Sequence, residues 1–446
     1  MQELFKRHFK PNFLLAYPVM LSQLGHVMVG VADSMMVGHL GRDPLAAVSF
    51  GNSIFVVFMV FGIGISTAIT PLTAQSDGRK NSQRIAALLK NGILVCSVSG
   101  IVLFLILYLC TLGIGIFNQP PEVERLSTPY IQIIGASLIP FMVFQAYRQF
   151  AEGLSRTREA MIVAVGMNLV NIILNYIFIF GKLGLPAMGL EGAAIATLIS
   201  RVLMAIAMAL FVYRLKVFAK YVALLDVSKY SKPILDRLVK LGLPIGVQYI
   251  FEVSAFSLAA IMAGWLGTVQ LAAHQIAINL ASVSYMMATG ISSASTIRIG
   301  NLLGRKDYTN MREAAQTSFV MAILFMGFTA LIFIVFRHWL PQMYISDLEV
   351  RDLAASLLII AAIFQVSDGI QVVGLGVLRG MSDVKIPTLI TMIAYWGLGL
   401  PVAYILAFYF NAGAYGIWTG LLVGLTVAAF LLVMRFKKLS KGLIQN

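Results

Sequence analysis

A chain of 446 residues with 59% apolar and only 12% charged side chains cannot cover itself with the polar surface of a soluble globular protein, whose charged share is about 25%. Its formal charge of +14 is dispersed over loops along the whole chain rather than gathered on one stripe, which argues against a nucleic-acid-binding face. Its two cysteines, Cys96 and Cys110, fall in one apolar stretch, so neither a disulfide framework nor a metal site is expected.

Apolar stretches lie at 12–38, 45–74, 86–117, 127–150, 160–181, 188–213, 239–266, 270–297, 314–340, 352–378, 387–410 and 413–435. Each is long enough to cross a hydrocarbon core of about 30 Å. The expected fold is therefore all-α, a polytopic membrane protein of twelve transmembrane helices surrounded by lipid. Lys6, Arg7 and Lys10 lead into a full-length first span rather than the short apolar core of a signal peptide, so nothing is expected to be removed. With the N-terminus assigned to the cytoplasm, 27 of the 33 lysines and arginines fall in cytoplasmic segments and five outside, at Arg42, Arg125, Lys182, Arg337 and Arg351. That bias predicts both termini inside. Arg201 is the one left within a span.

The stretch Leu15 to Lys80 occurs twice. Shifted by 226 positions, it falls on Leu241 to Lys306 with 19 identities in 66 positions, among them Pro18 on Pro244, Gly41 on Gly267, Gly64 on Gly290 and Thr70 on Thr296. Fainter echoes follow: Glu152-Gly153 matches Arg379-Gly380 at an offset of 227, and Gly189 to Gly192 matches Gly413 to Gly416 at 224. Such glycines are expected to be turns or close helix contacts. The duplication predicts two six-helix lobes, 1–214 and 239–436, with a basic cytoplasmic linker at 215–238 and a cytoplasmic tail at 437–446. Six spans per lobe keep both copies in one orientation, so the predicted relation is a pseudo-two-fold axis along the membrane normal. Pro18 and Pro244 each remove a backbone hydrogen bond in the first helix of a lobe. Each reads either as a static kink or as a hinge.

Three acids lie well inside the spans: Asp33, Glu252 and Asp368. A carboxylate in that setting costs several kcal/mol unless it is protonated, paired or facing water, so each is a functional candidate. None has an acidic twin, since Asp33 aligns with Ala259, Glu252 with His26 and Asp368 with Phe141. His26 is seven residues from Asp33 and shares its helix face, which makes it a candidate local partner. Asn171 and Asn175, with Asn168 a turn earlier, present amides on one face of the fifth span. Together with Asp33 and the hydroxyl of Thr197 they form a donor set suited to a hard cation such as Na⁺. The same carboxylate can instead carry a proton, and a purely structural polar ladder is the bland alternative. Glu252 and Asp368 have no basic partner in their own apolar stretches, and Gln365 and Gln371 flank Asp368 with amides. This second pair is likewise read as a site for Na⁺ or for protons. Gln23, His26, Tyr249, Phe256, Met286 and Met287 are candidates for lining a cavity that takes flat, cationic ligands. The chain has no GxxxxGK[ST], HExxH or GxSxG pattern, so no enzyme activity and no cofactor beyond a bound Na⁺ or proton is expected.

Several motifs together carry a family resemblance. They are Pro18-x4-Gln23, the run Val31-Ala32-Asp33-Ser34-Met35-Met36-Val37-Gly38-His39-Leu40-Gly41, the segment Ala74 to Arg79, the turn Gly153 to Arg156, the acid in Gln248 to Glu252, and the stretch Gly374 to Gly380. As a set they resemble multidrug and toxic compound extrusion (MATE) transporters, in particular the bacterial NorM-like branch. The resemblance implies a secondary-active antiporter of the bacterial inner membrane. It would export organic, often cationic, drug-like compounds in exchange for Na⁺ or H⁺ by alternating access, and a monomer is expected. It also implies that Asp33, with Asn171 and Asn175, serves one cation or proton site, that Glu252 and Asp368 serve another, and that Pro18 bends the first helix. One departure stands out: where the resemblance predicts a tyrosine a turn before the tenth-span acid, this chain has Phe364. The rival reading, a lipid-linked oligosaccharide flippase of similar two-lobe design, calls for a basic central cavity, for which Arg201 alone is available.

Overall fold

The structure is a computed structural model that describes residues 2–226 and 230–445, with side chains described for 7–226 and 230–444. Residues 227–229 of the expected linker and Asn446 of the expected tail lie outside the described residues. Among those described, twelve helices are long and apolar enough to cross a membrane. They are α1 (Arg7–Gly38), α2 (Arg42–Gly78), α3 (Ser82–Leu112), α4 (Pro121–Gly153), α5 (Thr157–Phe180), α6 (Gly189–Arg214), α7 (Lys232–Trp265), α8 (Thr268–Gly304), α9 (Tyr308–Val335), α10 (Leu348–Gly380), α11 (Lys385–Tyr409) and α12 (Gly413–Ile444). These are the twelve spans the hydropathy pattern predicts, extended at the ends assigned to the cytoplasm, whereas α3 and α9 end at Leu112 and Val335, short of the expected 117 and 340. The lengthening matters at α10, which carries Arg379 as well as Asp368. Arg379 stands about three turns beyond Asp368 and bonds to Gln248 and Tyr249 instead, so Asp368 makes no ion pair among the described residues.

The duplication is written into the backbone. Gly41 and Gly267 both adopt φ 120° in the turns after α1 and α7, a conformation that disfavours any side chain. Lys80 and Lys306, also 226 apart, take left-handed φ of 55° and 61° after α2 and α8, and Ser155 and Ser382 do the same after α4 and α10 at 64° and 61°. The next helix is capped in matching fashion, by Asn81 accepting from the Arg84 amide at 2.9 Å and by Asp307 accepting from the Asn310 amide at 3.2 Å. Thr70 Oγ1 donates to the Gln149 carbonyl at 3.0 Å and Thr296 Oγ1 to the Gly376 carbonyl at 2.8 Å. These twin bonds tie α2 to α4 and α8 to α10. Beside them Gly153 and Gly380 allow close approach, since a Cβ there would lie 2.9 Å from the carbonyls of Thr70 and Thr296.

Two compact units result, one of Leu21–Gly246 and one of Met1–Met20 with Val247–Asn446. Their limits differ from the lobes expected at the linker, because each cut falls inside a first helix. The cause is a pair of backbone-close contacts. In the Leu21–Gly246 unit a Cβ on Gly64 would lie 2.4 Å from Gly246 Cα, so α2 seats directly on the first half of α7. In the other unit a Cβ on Gly290 would lie 2.9 Å from the Ala16 carbonyl and 3.0 Å from the Met20 nitrogen, so α8 seats on the first half of α1. Pro18 and Pro244 each stand two residues before the end of such a contact segment, and both helices continue through them.

The segment after α6 is also docked. A short helix, Lys216–Val222, buries Phe218 and Tyr221 against Phe150, with ring centroids 6.1 and 6.4 Å apart. Lys90 donates to the Asp226 carbonyl and lies 4.5 Å over the Tyr230 ring, and Asn91 Oδ1 accepts from the Ser231 amide at 3.2 Å. Residues 232–238 of the expected linker are the opening turns of α7.

Candidate functional site

In the Leu21–Gly246 unit, α1, α5 and α6 bring four predicted residues into one chain of hydrogen bonds. The half-buried Asp33 accepts from Asn175 Nδ2. Asn175 Nδ2 also reaches Asn171 Oδ1 at 3.2 Å, and Asn171 Nδ2 reaches Ser200 Oγ at 3.0 Å and Thr197 Oγ1 at 3.5 Å. The i, i+4 spacing on α5 does what it predicts, with both amides buried on one face. Asn175 Oδ1 is buried without a hydrogen-bond partner among the described residues. A carboxylate, two amide oxygens and two hydroxyls can hold a hard cation, and the carboxylate alone can hold a proton. Ser200 was missed, although it follows Thr197 by one turn. His26 is exposed and shares no described hydrogen bond with Asp33, so it is not the partner its spacing predicts. Gln23 is partly buried.

Arg201 lies behind this chain and is buried. Its guanidinium donates to Ser137 Oγ at 2.7 Å, and it sits 5.0 and 4.9 Å from the ring centres of Phe55 and Phe141. Ser137 is available because α4 breaks there, its own hydroxyl turning back to the Ile134 carbonyl. Arg201 attracts Asp33 electrostatically, with no ion pair between them.

In the other unit, Glu252 on α7 and Asp368 on α10 are 5% and 3% exposed, and their charges repel. Gln371 lies beside Glu252, yet neither its amide atoms nor Glu252 Oε1 makes a hydrogen bond of normal geometry. Gln365 Nε2 donates to Ser284 Oγ at 2.7 Å and leaves its oxygen unpartnered. Two phenols missed by the sequence reading, Tyr285 of α8 and Tyr395 of α11, lie within electrostatic reach of both acids. Tyr395 stands in a π-helical stretch, Ile393–Gly399, an irregularity common at functional positions, and its hydroxyl is buried and unpartnered. Phe364 supplies no oxygen here, and the Tyr395 hydroxyl makes no hydrogen bond to either acid among the described residues. Phe364 instead packs with Phe256 and Trp418 at centroid distances of 6.2 and 5.4 Å, and Phe256 meets Tyr395 at 5.9 Å. So Phe256 is core packing beside the acids. Tyr249 is engaged elsewhere, its hydroxyl accepting from Arg379 Nη1 at 3.0 Å while Gln248 Oε1 accepts from Nη2 at 3.3 Å. Met286 and Met287 of α8 are partly buried.

Unsatisfied buried polar atoms are rare in folded proteins, and where they cluster they mark a place for water, an ion or a ligand. Glu252 Oε1, both amide atoms of Gln371, Gln365 Oε1 and the Tyr395 hydroxyl are such atoms, with Gln365 and Gln371 one turn either side of Asp368 on α10 and Gln371 beside Glu252.

Comparison with known proteins matches nearly the whole chain. A family model described as MatE matches twice, over residues 18–177 and 244–405, its two copies starting at Pro18 and Pro244. The chain is 34% identical over 438 residues to the multidrug resistance protein NorM of Photobacterium profundum, covering 97% of this chain and 96% of that one. It is 35% identical over 432 residues to the multidrug resistance protein MdtK of Yersinia pseudotuberculosis, covering 96% and 94%. Among solved structures, the eukaryotic MATE transporter AtDTX14 superposes with a TM-score of 0.88 at 22% identity over 99% of both chains. The Vibrio cholerae MATE transporter VcmN in its bent form gives 0.88 at 21% identity over 99% of both. With its duplicated pattern, twelve spans and full-length relatives, this chain belongs to the MatE family of multidrug and toxic compound extrusion transporters.

Proposed function

We propose that this protein is a secondary-active antiporter that exports organic, often cationic, compounds from the bacterial cytoplasm in exchange for Na⁺ or H⁺. Its setting is the inner membrane, with both termini cytoplasmic as the lysine and arginine bias requires. The observation that carries the reading is the set of membrane-embedded carboxylates left open to a small cation. Asp33 is held by the Asn175 amide rather than by a base, and Glu252 keeps an oxygen without a partner while Asp368 lies within electrostatic reach. Burying such groups is costly, and a cation or proton that comes and goes offsets the cost in one state of the cycle only. Binding of that cation and of the drug then favour different states, so exchange is the route that completes the turn. The full-length relatives named multidrug resistance proteins support a drug-like substrate.

Reconstituted protein in liposomes loaded with a fluorescent organic cation tests the reading. Imposed Na⁺ and pH gradients, applied separately, should drive efflux for one ion or both. Efflux indifferent to both gradients, or unaffected by Asp33→Asn, Glu252→Gln and Asp368→Asn, would overturn it.

A further inference from the structure

Each unit pairs a candidate coupling acid with a buried arginine that does not touch it. Arg201 and Arg379 are 9% and 7% exposed. Neither takes part in the ion pairs among the described residues, which join Arg125 to Glu122, Arg148 to Glu152, Arg156 to Glu159, Arg435 to Asp383 and His8 to Glu313. A buried guanidinium with no acid in contact is costly and needs a reason. Here neutral groups hold each one in place. Arg201 is tied to Ser137 Oγ and set between Phe55 and Phe141. Arg379 is tied to Gln248 Oε1 and to Tyr249, by hydroxyl and by ring face at 5.0 Å, with its Nε left unpartnered. Gln248 and Tyr249 precede Glu252 by one helical turn, so the tether places the positive charge beside that acid without filling its oxygens.

Duplication does not explain the likeness. At the offsets of the neighbouring motifs Arg201 aligns with Leu425 and Arg379 with Glu152. The same device has been built twice from unrelated positions.

We propose that Arg201 and Arg379 are tethered counter-cations, which stand in for the coupling cation at Asp33 and at Glu252 and thereby set how readily that cation leaves. The inference rests on the coupling reading given under Proposed function. A direct ion pair would occupy the carboxylate and shut out the cargo. A guanidinium held a short way off lowers the cost of the empty carboxylate and competes with the arriving cation, so release is not trapped. Asp33 also faces Tyr130 of α4, and Glu252 faces Asp368, Tyr285 and Tyr395. None of these supplies positive charge, so the arginines are positioning residues without a substitute.

The test measures, in proteoliposomes, the half-saturating concentration of whichever cation drives efflux in the unmodified protein. Arg201→Gln and Arg379→Gln should lower that concentration by about tenfold or more, the scale of one removed neighbouring charge, while maximal efflux falls because the cation is retained. Arg201→Lys and Arg379→Lys, which keep the charge, should recover part of the shift. Freeing the tether acts in the opposite direction: Ser137→Ala and Tyr249→Phe let the guanidinium close on its acid and raise the half-saturating concentration. These two variants decide the matter if a glutamine variant does not fold. A purely structural role would lower efflux with the half-saturating concentration unchanged in every variant, and that result overturns the proposal. If Asp33→Asn and Glu252→Gln abolish gradient dependence while the arginine and tether variants keep the original half-saturation, the counter-cation idea alone fails. If the acid variants keep gradient dependence, the coupling reading itself is wrong.

Discussion

Substituting alanine for Gly64 or Gly290 probes the contacts that divide the chain into its two units. An added Cβ at Gly64 would stand 2.4 Å from Gly246 Cα and 2.6 Å from its nitrogen, where carbon atoms sit comfortably at about 3.5–4.0 Å. The obstacle is backbone, so no side chain can rotate away, and α2 and α7 have to part by roughly 1 Å along this seam. At Gly290 the nearest atom is Met20 Cγ at 2.4 Å, but the Ala16 carbonyl at 2.9 Å and Met20 nitrogen at 3.0 Å block relaxation in the same way. Overpacking of this kind costs about 1–3 kcal/mol, and both variants belong at the upper end. Thermal unfolding of the purified protein in detergent, followed by loss of the monodisperse species, should show both melting several degrees low. Gly166→Ala and Gly327→Ala are the controls: nothing lies within 4 Å of a Cβ at either site, and replacing a helix-interior glycine gains up to about 1 kcal/mol. A Gly64→Ala protein that melts with the controls would refute the assignment of this seam as a backbone contact.

Other outcomes follow from the sites. Asp33→Asn, Glu252→Gln and Asp368→Asn should each lower cation-driven efflux by about 5- to 150-fold, the range of a typical coupling energy, with normal membrane expression on immunoblots. Asn175→Leu removes the donor to Asp33 and should destabilise the protein by about 1.5–3 kcal/mol, the worth of a hydrogen bond to a charged group, read by thermal melting together with reduced efflux. Tyr395→Phe separates two roles for an unpartnered buried hydroxyl: as a cation ligand its loss weakens cation dependence of transport, whereas a bystander hydroxyl leaves transport intact and raises the melting temperature. Thr70→Val and Thr296→Val delete twin bonds and should each cost about 1 kcal/mol, and unequal losses would show that the two copies no longer share this joint.

Local physics made part of this legible. Hydropathy marks all twelve helices because a span must satisfy its backbone internally. The identities at an offset of 226 foretell paired turns at Gly41 and Gly267, and i, i+4 spacing foretells the amide pair on α5. What sequence does not carry is which helix face meets which. Arg379 reads as one more positive charge at a helix end, yet its side chain turns inward to Gln248 and Tyr249 of α7. Tyr395 escapes notice because a π-helical stretch resets its face. His26 shares a helical face with Asp33 by its spacing, but the carboxylate is claimed by an amide 142 residues away in sequence. The limits of the compact units are hidden for the same reason, since hydropathy cannot reveal that the opening turns of α1 and α7 are held by glycines in the other repeat.

That exchange of opening turns bears on how such a molecule can be taken apart. Severing the chain after the short helix at Lys216–Val222 would not liberate two autonomous halves. The upstream fragment would keep the turns that belong on Gly290 and lack those that belong on Gly64, and the downstream fragment would have the converse deficit. Each would lack the helix segment that its glycine contacts and carry the one that the other needs, so co-expressed fragments should complement each other.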